Sequence, residues 1–261
     1  MAGLKIPIFE KGTVLTHEML EALKEYAMDI STLNYAGYSD GILSGCEVTM
    51  SDNMICVNRG MVMFNGQLYF LPGAMKVMAR PGRDWQILKL CIGNVSKDKN
   101  FMVAELRLEL TDDSQEAPSK LEICRFRLQD GARLRNQYRD FQDLNTEFDT
   151  VNEIHTKWSA YQKSSISPRI LKEFAKEAMN KNPQNPQDIC FIQQILAMDA
   201  KTLNRDVVIF YLNTRLGKKH VEMTNVEIYQ SLQEVLRNMQ RGGSLGGGIS
   251  MPRAERRILI D

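Results

Sequence analysis

Apolar and polar positions change rhythm twice along this chain. Residues 9 to 31 carry apolar side chains at helical spacing, residues 41 to 128 fall into short runs and alternations, and intervals of three and four return from residue 133. The first stretch reads as a helix from His17 to Ser31. Thr16 stands where an N-cap hydroxyl would satisfy the early amides, and Leu20, Leu23, Ala27 and Ile30 share one face, which the pattern predicts to pack on the strands that follow.

Those strands are short and cut at close intervals by Gly, Asn and Asp. Cys46 to Met50, a turn at Ser51-Asp52-Asn53, Met54 to Val57, Met61 to Phe64 and Gln67 to Leu71 predict a meander of hairpins. Asn65-Gly66 lies between the last two runs, where a two-residue hairpin turn needs positive φ at both central positions. Three longer strands follow at 84–92, 101–110 and 120–128, the last two alternating in polarity as half-wetted sheet faces do. The polar stretches 94–100 and 111–119 read as exposed connections.

Leu134, Tyr138, Phe141, Leu144, Phe148, Val151, Ile154 and Trp158 recur at threes and fours, predicting one long helix from Arg133 to about Tyr161. Such a helix would pack on its own sheet or bundle with copies of itself, and the pattern does not choose. Further helices are expected at 168–180, 188–197, 205–216 and 225–239; the run Val207 to Tyr211 also fits a strand, but helix is preferred. Asn182-Pro183-Gln184-Asn185-Pro186 is a firm break, because each proline disfavours helix in the residue before it. The chain is therefore read as α+β: residues 1–130 an antiparallel β-module with a leading helix, 131–241 mainly helical, and 242–261 a Gly-rich tether with a docking tail.

The order Gly41-Ile42-Leu43-Ser44-Gly45-Cys46-Glu47-Val48-Thr49, then a strand, then Arg59-Gly60-Met61-Val62-Met63-Phe64-Asn65-Gly66, with a short amphipathic helix ahead of it, resembles the N-terminal modules of tail, baseplate and tail-fibre proteins of tailed bacteriophages and phage-tail-like particles. The resemblance covers about residues 8 to 92 and carries no catalytic residue. It implies a non-enzymatic subunit of a baseplate or fibre attachment, working through contacts with its own copies and neighbouring tail proteins. It places the protein in a virion or phage-tail-like particle, after synthesis in the bacterial cytoplasm.

Composition is compatible with that reading. The 261 residues are 43% apolar and 25% charged with a net charge of +1, so a surface built wholly to hold nucleic acid is not expected, nor is a membrane span or a signal peptide. Five widely spaced cysteines within mostly apolar runs suit reduced, buried thiols. His17-Glu18-Met19-Leu20-Glu21 opens like a zinc-protease helix, but a glutamate stands where the second histidine is needed. The glycines at 242–248 lack the Lys and Ser/Thr of a phosphate loop, and no nucleophile elbow occurs. No catalytic residue, metal ligand or cofactor is assigned.

Two candidate contact regions remain. Arg125, Arg127, Arg133, Arg135 and Arg139, interleaved with Phe126, Tyr138 and Phe141, form the best nucleic-acid candidate, centred on Arg133, Arg135 and Arg139. Nearby Asp130, Asp140 and Asp143 offer the alternative of neutralised surface pairs. The tail joins Arg253, Arg256 and Arg257 to Ile258, Leu259 and Ile260, a segment suited to adding a strand to a neighbouring subunit, with folding back on its own domain or staying disordered as the alternative.

Overall fold

The computed structural model describes residues 5–112, 120–199, 201–219 and 221–242. The protein is α+β, with a leading helix, antiparallel sheets and then four helices. Helix α1 (His17–Asn34) is followed by β1 (Gly41–Gly45), β2 (Val48–Ser51), β3 (Met54–Val57), β4 (Gly60–Phe64), β5 (Gln67–Leu71), β6 (Met75–Met78), β7 (Gly82–Asp98), β8 (Phe101–Thr111) and β9 (Lys120–Leu128). Helices α2 (Pro168–Asn180), α3 (Pro186–Leu196), α4 (Arg205–Arg215) and α5 (Asn225–Gly242) complete it.

The hairpins form where the turn chemistry calls for them, at Asn65-Gly66 (φ 48° and 70°) between β4 and β5 and at Asp52-Asn53 (φ 47° and 63°) between β2 and β3. The strands do not make a simple meander, however. They sort into two three-stranded sheets, β1-β4-β5 and β2-β3-β6. The chain crosses between them at Gly45 and Cys46, both at positive φ (67° and 56°), against a backbone so close that a Cβ on Gly45 would lie 2.4 Å from the Arg59 carbonyl oxygen.

A third sheet, β8-β7-β9, is built on a 17-residue strand. The polar stretch after residue 93 is not a loop: β7 and β8 continue as an exposed two-stranded ribbon whose register runs out to Asp98 opposite Phe101. Paired backbone, not burial, makes these residues strand.

The larger correction concerns residues 133–161, which form no long helix. A single 3₁₀ turn, Gln142–Asn145, interrupts an otherwise extended segment. Its apolar residues recur at helical intervals because they serve two cores in turn. Leu134, Val151 and Trp158 join the β core, while Phe141, Leu144 and Ile154 join the helical one. Asp149, at φ 55°, helps turn the chain between them. The segment stitches itself to the sheets: the Asn152 amide donates to the Arg125 carbonyl (2.8 Å), Ser159 to that of Ile42 (2.7 Å), and the Thr156 hydroxyl to that of Ile123 (2.7 Å). Ile123 is the extra residue of a bulge in β9, which turns its carbonyl toward Thr156.

The helices start where caps and prolines place them. Ser167, Asn185 and Asn204 accept amide hydrogens at the starts of α2, α3 and α4, and Pro168 and Pro186 occupy the first helical positions. Residues 205–215 are helix, as preferred. Phe174, fully buried, centres the core with Phe141, Phe191 and Tyr211 around it at ring separations of 5.9, 5.9 and 6.4 Å. Contacts at the sheet seam fix the helix directions. Thr156 accepts from Asn225 at the start of α5 (3.0 Å), and Tyr161 from Asn204 at the start of α4. So α2, α4 and α5 run outward from the sheets and α3 returns, bringing Lys201 over the rings of Tyr35 and Tyr38.

Candidate interaction surface

Thr16 caps α1 as its position suggests, its hydroxyl oxygen accepting from the Met19 amide at 3.3 Å. The expected packing of α1 on the β-module is slight, with Met19, Ala22 and Ser31 half-buried. No residue of α1 is buried, although the helix approaches β5. The inner sheet faces are filled by one another and by Leu134, Val151 and Trp158, so the β core is closed without α1.

An apolar stripe is left partly exposed along α1. Met19, Leu23, Tyr26, Ile30 and Leu33 succeed one another at intervals of four, three, four and three, the spacing of a coiled-coil seam. Leu23, Tyr26, Ile30 and Leu33 are 42–76% exposed. The flanks of this seam carry Leu20, Ala22, Ala27 and Asp29, and the remaining charges lie away from it. Ahead of the helix, Ile6, Ile8, Phe9, Val14 and Leu15 are 55–80% exposed.

A cleft of about 450 Å³ lies where the start of α2 meets β1 and β2. Glu153 is buried in its wall, with Arg169 3.1 Å away and the Ser167 hydroxyl donating at 3.4 Å. Burial pushes the Glu153 carboxyl above its usual range, and Arg169 pulls it back in part. Burial also raises the Cys46 thiol to about 12, far from a reactive thiolate. Trp158, Ile42 and Val48 line the cleft beside it, and Glu47, Glu173 and Lys172 bring further charge to its wall. Among the described residues no three His, Cys, Asp or Glu side chains gather as a metal site would require, and no helix is long and apolar enough to cross a membrane.

The arginines are drawn into pairs. Arg125 meets Glu122 twice at 2.7 Å, Arg127 meets Glu147, and Arg135 forks onto Asp143 at 2.7 Å through both nitrogens, which holds the Asp143 carboxyl well below its usual range. Arg133 stands exposed 3.7 Å from an equally exposed Asp52, and Arg139 is exposed. Of the interleaved rings, Phe126 and Phe141 are buried, and Tyr138 lies under Arg169 with its hydroxyl donating to the Val151 carbonyl. Ile258, Leu259 and Ile260, and all of 243–261, lie outside the described residues. Cys46, Cys91 and Cys124 are buried free thiols, whereas Cys190 is exposed.

No family model and no curated protein matches this chain. Solved structures similar in layout are baseplate proteins of the type VI secretion system. A chain of the TssK-TssF-TssG baseplate subcomplex is 12% identical with a TM-score of 0.38, covering 92% of this chain and 100% of that one. The crystal structure of TssK is 9% identical at 0.42, covering 93% and 73%. A chain of the baseplate complex from the type VI secretion system is 11% identical at 0.40, covering 91% and 70%.

Proposed function

We propose that this protein is a structural, non-enzymatic subunit of a phage-tail-like baseplate, held in its assembly by contacts between copies of itself through α1 and the arm before it. The exposed seam of α1 carries this reading. Five apolar residues at coiled-coil spacing, on a helix with no fully buried residue, are explained by a second helix laid against them. The Gly-punctuated strands 41–66, which carry the phage-module resemblance, supply the biological setting. The tail residues Ile258, Leu259 and Ile260 are a further proposed contact that rests on sequence.

The test is the solution mass of the protein and of a Leu23→Glu/Ile30→Glu variant, by light scattering at two salt concentrations, with and without single-stranded DNA. The expected result is a defined oligomer indifferent to DNA, and a monomeric variant with an unchanged thermal midpoint. A monomeric wild type overturns α1 as a surface between copies. Binding of DNA that is released as salt rises, and lost on replacing Arg133, Arg135 and Arg139 with Gln, would establish the nucleic-acid reading instead.

A further inference from the structure

A second apolar surface lies along the helical part of the protein. Between α3 and α4 lies a groove of about 310 Å³. Its floor is the stacked pair Phe191 and Tyr211, rings 3.9 Å apart, and its rim includes Cys190, Gln194, Val207 and Phe210. Phe210 is 65% exposed. Nothing within the described residues covers it.

The course of the helices says what lies within reach. Asp188, in the first turn of α3, meets Arg215 at the last turn of α4 (2.8 Å), so the groove's end at Gln194 and Val207 lies nearer the sheets and its end at Pro186 and Thr214 remote from them. Helix α5 ends at the same side: its later turns stand beside Glu177 and Lys181 at the end of α2. At 1.5 Å per residue, the 18 residues of α5 carry its end roughly 27 Å from Asn225 at the seam. Helix α4 packs against both α5 and α3, which puts the groove one helix beyond α5. Crossing one helix, at about 8–10 Å between axes, and returning the extra length of α5 is a span of about 15–20 Å. Residues 243–250, Gly-Ser-Leu-Gly-Gly-Gly-Ile-Ser, have a root-mean-square reach of about 14–17 Å as a Gly-rich tether and about 27 Å when fully extended. The sheet end, and α1 with it, lies a further length of α5 away.

We propose that this groove is the seat of the chain's own segment 251–261, with Ile258, Leu259 and Ile260 set against Phe191, Val207 and Phe210. Tether length selects this occupant over a neighbour's tail, because a linker whose reach matches the span holds its ligand at millimolar effective concentration. The apolar end suits the groove, and the arginines at 253, 256 and 257 remain outside it in water. This assignment is independent of the role given to α1, and its test does not read the oligomeric mass.

Cys190 is a built-in probe, the exposed thiol on the rim, while Cys46, Cys91 and Cys124 are buried. The experiment follows alkylation of each cysteine by iodoacetamide, resolved by mass spectrometry, in the full chain, in a variant lacking 251–261, and in Ile258→Asp/Ile260→Asp. The expected result is slow labelling of Cys190 in the full chain and at least tenfold faster labelling in both variants, with Cys46, Cys91 and Cys124 unchanged as a control for unfolding. A synthetic peptide of residues 251–261 should restore protection to the truncated protein. Equal Cys190 rates in all three proteins overturn the proposal. Protection that grows with protein concentration would identify a second copy's tail as the occupant and overturn it equally.

Discussion

Removing Arg169 should destabilise the protein in a way that depends on pH, and the sign follows from the cleft. Glu153 is buried in the wall between the cores, and Arg169 supplies its ion pair at 3.1 Å. Breaking a buried pair from one side costs about 3–5 kcal/mol, but the Arg169 side chain is 35% exposed, so about 2–3 kcal/mol is the better figure here. Burial raises the folded-state carboxyl above its unfolded value of about 4.3, so the folded protein holds a proton that the unfolded chain releases. That contribution is fully present below pH ~4.3 and is lost as pH rises through the folded value. Arg169 is the main group pulling the folded value down. Arg169→Met raises it further and deepens the loss at higher pH.

The variant should therefore lose about 1 kcal/mol at pH ~4, chiefly the stacking of Arg169 over Tyr138, and about 2–3 kcal/mol at pH ~8. Urea unfolding followed by tryptophan fluorescence measures both, since Trp158 lines the same cleft. Glu153→Gln/Arg169→Met should recover at least ~1 kcal/mol over Arg169→Met at pH 8, because no charge is left buried alone. A loss of equal size at both pH values, or a double variant weaker than Arg169→Met, would refute the reasoning.

Two further predictions concern stability. Phe174→Ala empties the centre of the helical core, where Phe141, Phe191 and Tyr211 meet, and should cost about 3–5 kcal/mol in urea unfolding; less than ~2 would mean the core collapses into the space. Gly45→Ala and Gly66→Ala share positive φ (67° and 70°) but differ in room. A Cβ at Gly45 meets the Arg59 carbonyl at 2.4 Å and at Gly66 meets nothing within 4 Å, so about 3 kcal/mol or more is expected at the first and about 1 at the second. Similar losses would show that β1 shifts freely from β4.

What could be read from the sequence was local. The Thr16 cap, the Asn65-Gly66 turn, the break at Pro183 and Pro186 and the bounds of β9 each depend on a few neighbouring residues, and each is found in place. What could not be read was assignment to a core. Threes and fours between 134 and 158 look the same whether one helix face or two separate cores take up the side chains. The useful signal was the density of Asp140, Asp143, Asn145, Asp149 and Asn152, residues that bind nearby backbone and favour turns. Here Asp140 accepts from the amides of Gln142 and Asp143, and Asp149 from that of Gln129. The exposed stripe of α1 was misread for a related reason. An amphipathic face says that something covers it, and not whether that partner belongs to the same chain.

The strength of an α1 contact can be bounded from its exposure. Leu23, Tyr26, Ile30 and Leu33 are about half exposed, so covering each returns roughly 1 kcal/mol, near 4 per helix and 8 for a pair. Association costs about 4–15 kcal/mol in lost freedom before any contact is counted, so two such helices alone are close to balance. The arm shifts that balance. Ile6, Ile8 and Phe9 are more exposed than most of the seam and have more to lose from water. Replacing all three with Ser removes about 3 kcal/mol or more from the contact and should weaken self-association at least ~100-fold, measured as the dissociation constant by sedimentation equilibrium. Folding stability should not move by more than ~0.5 kcal/mol, because these side chains are largely exposed. An unchanged dissociation constant would confine the contact to α1, and two half-exposed seams would then have to bind more tightly than their apolar area allows.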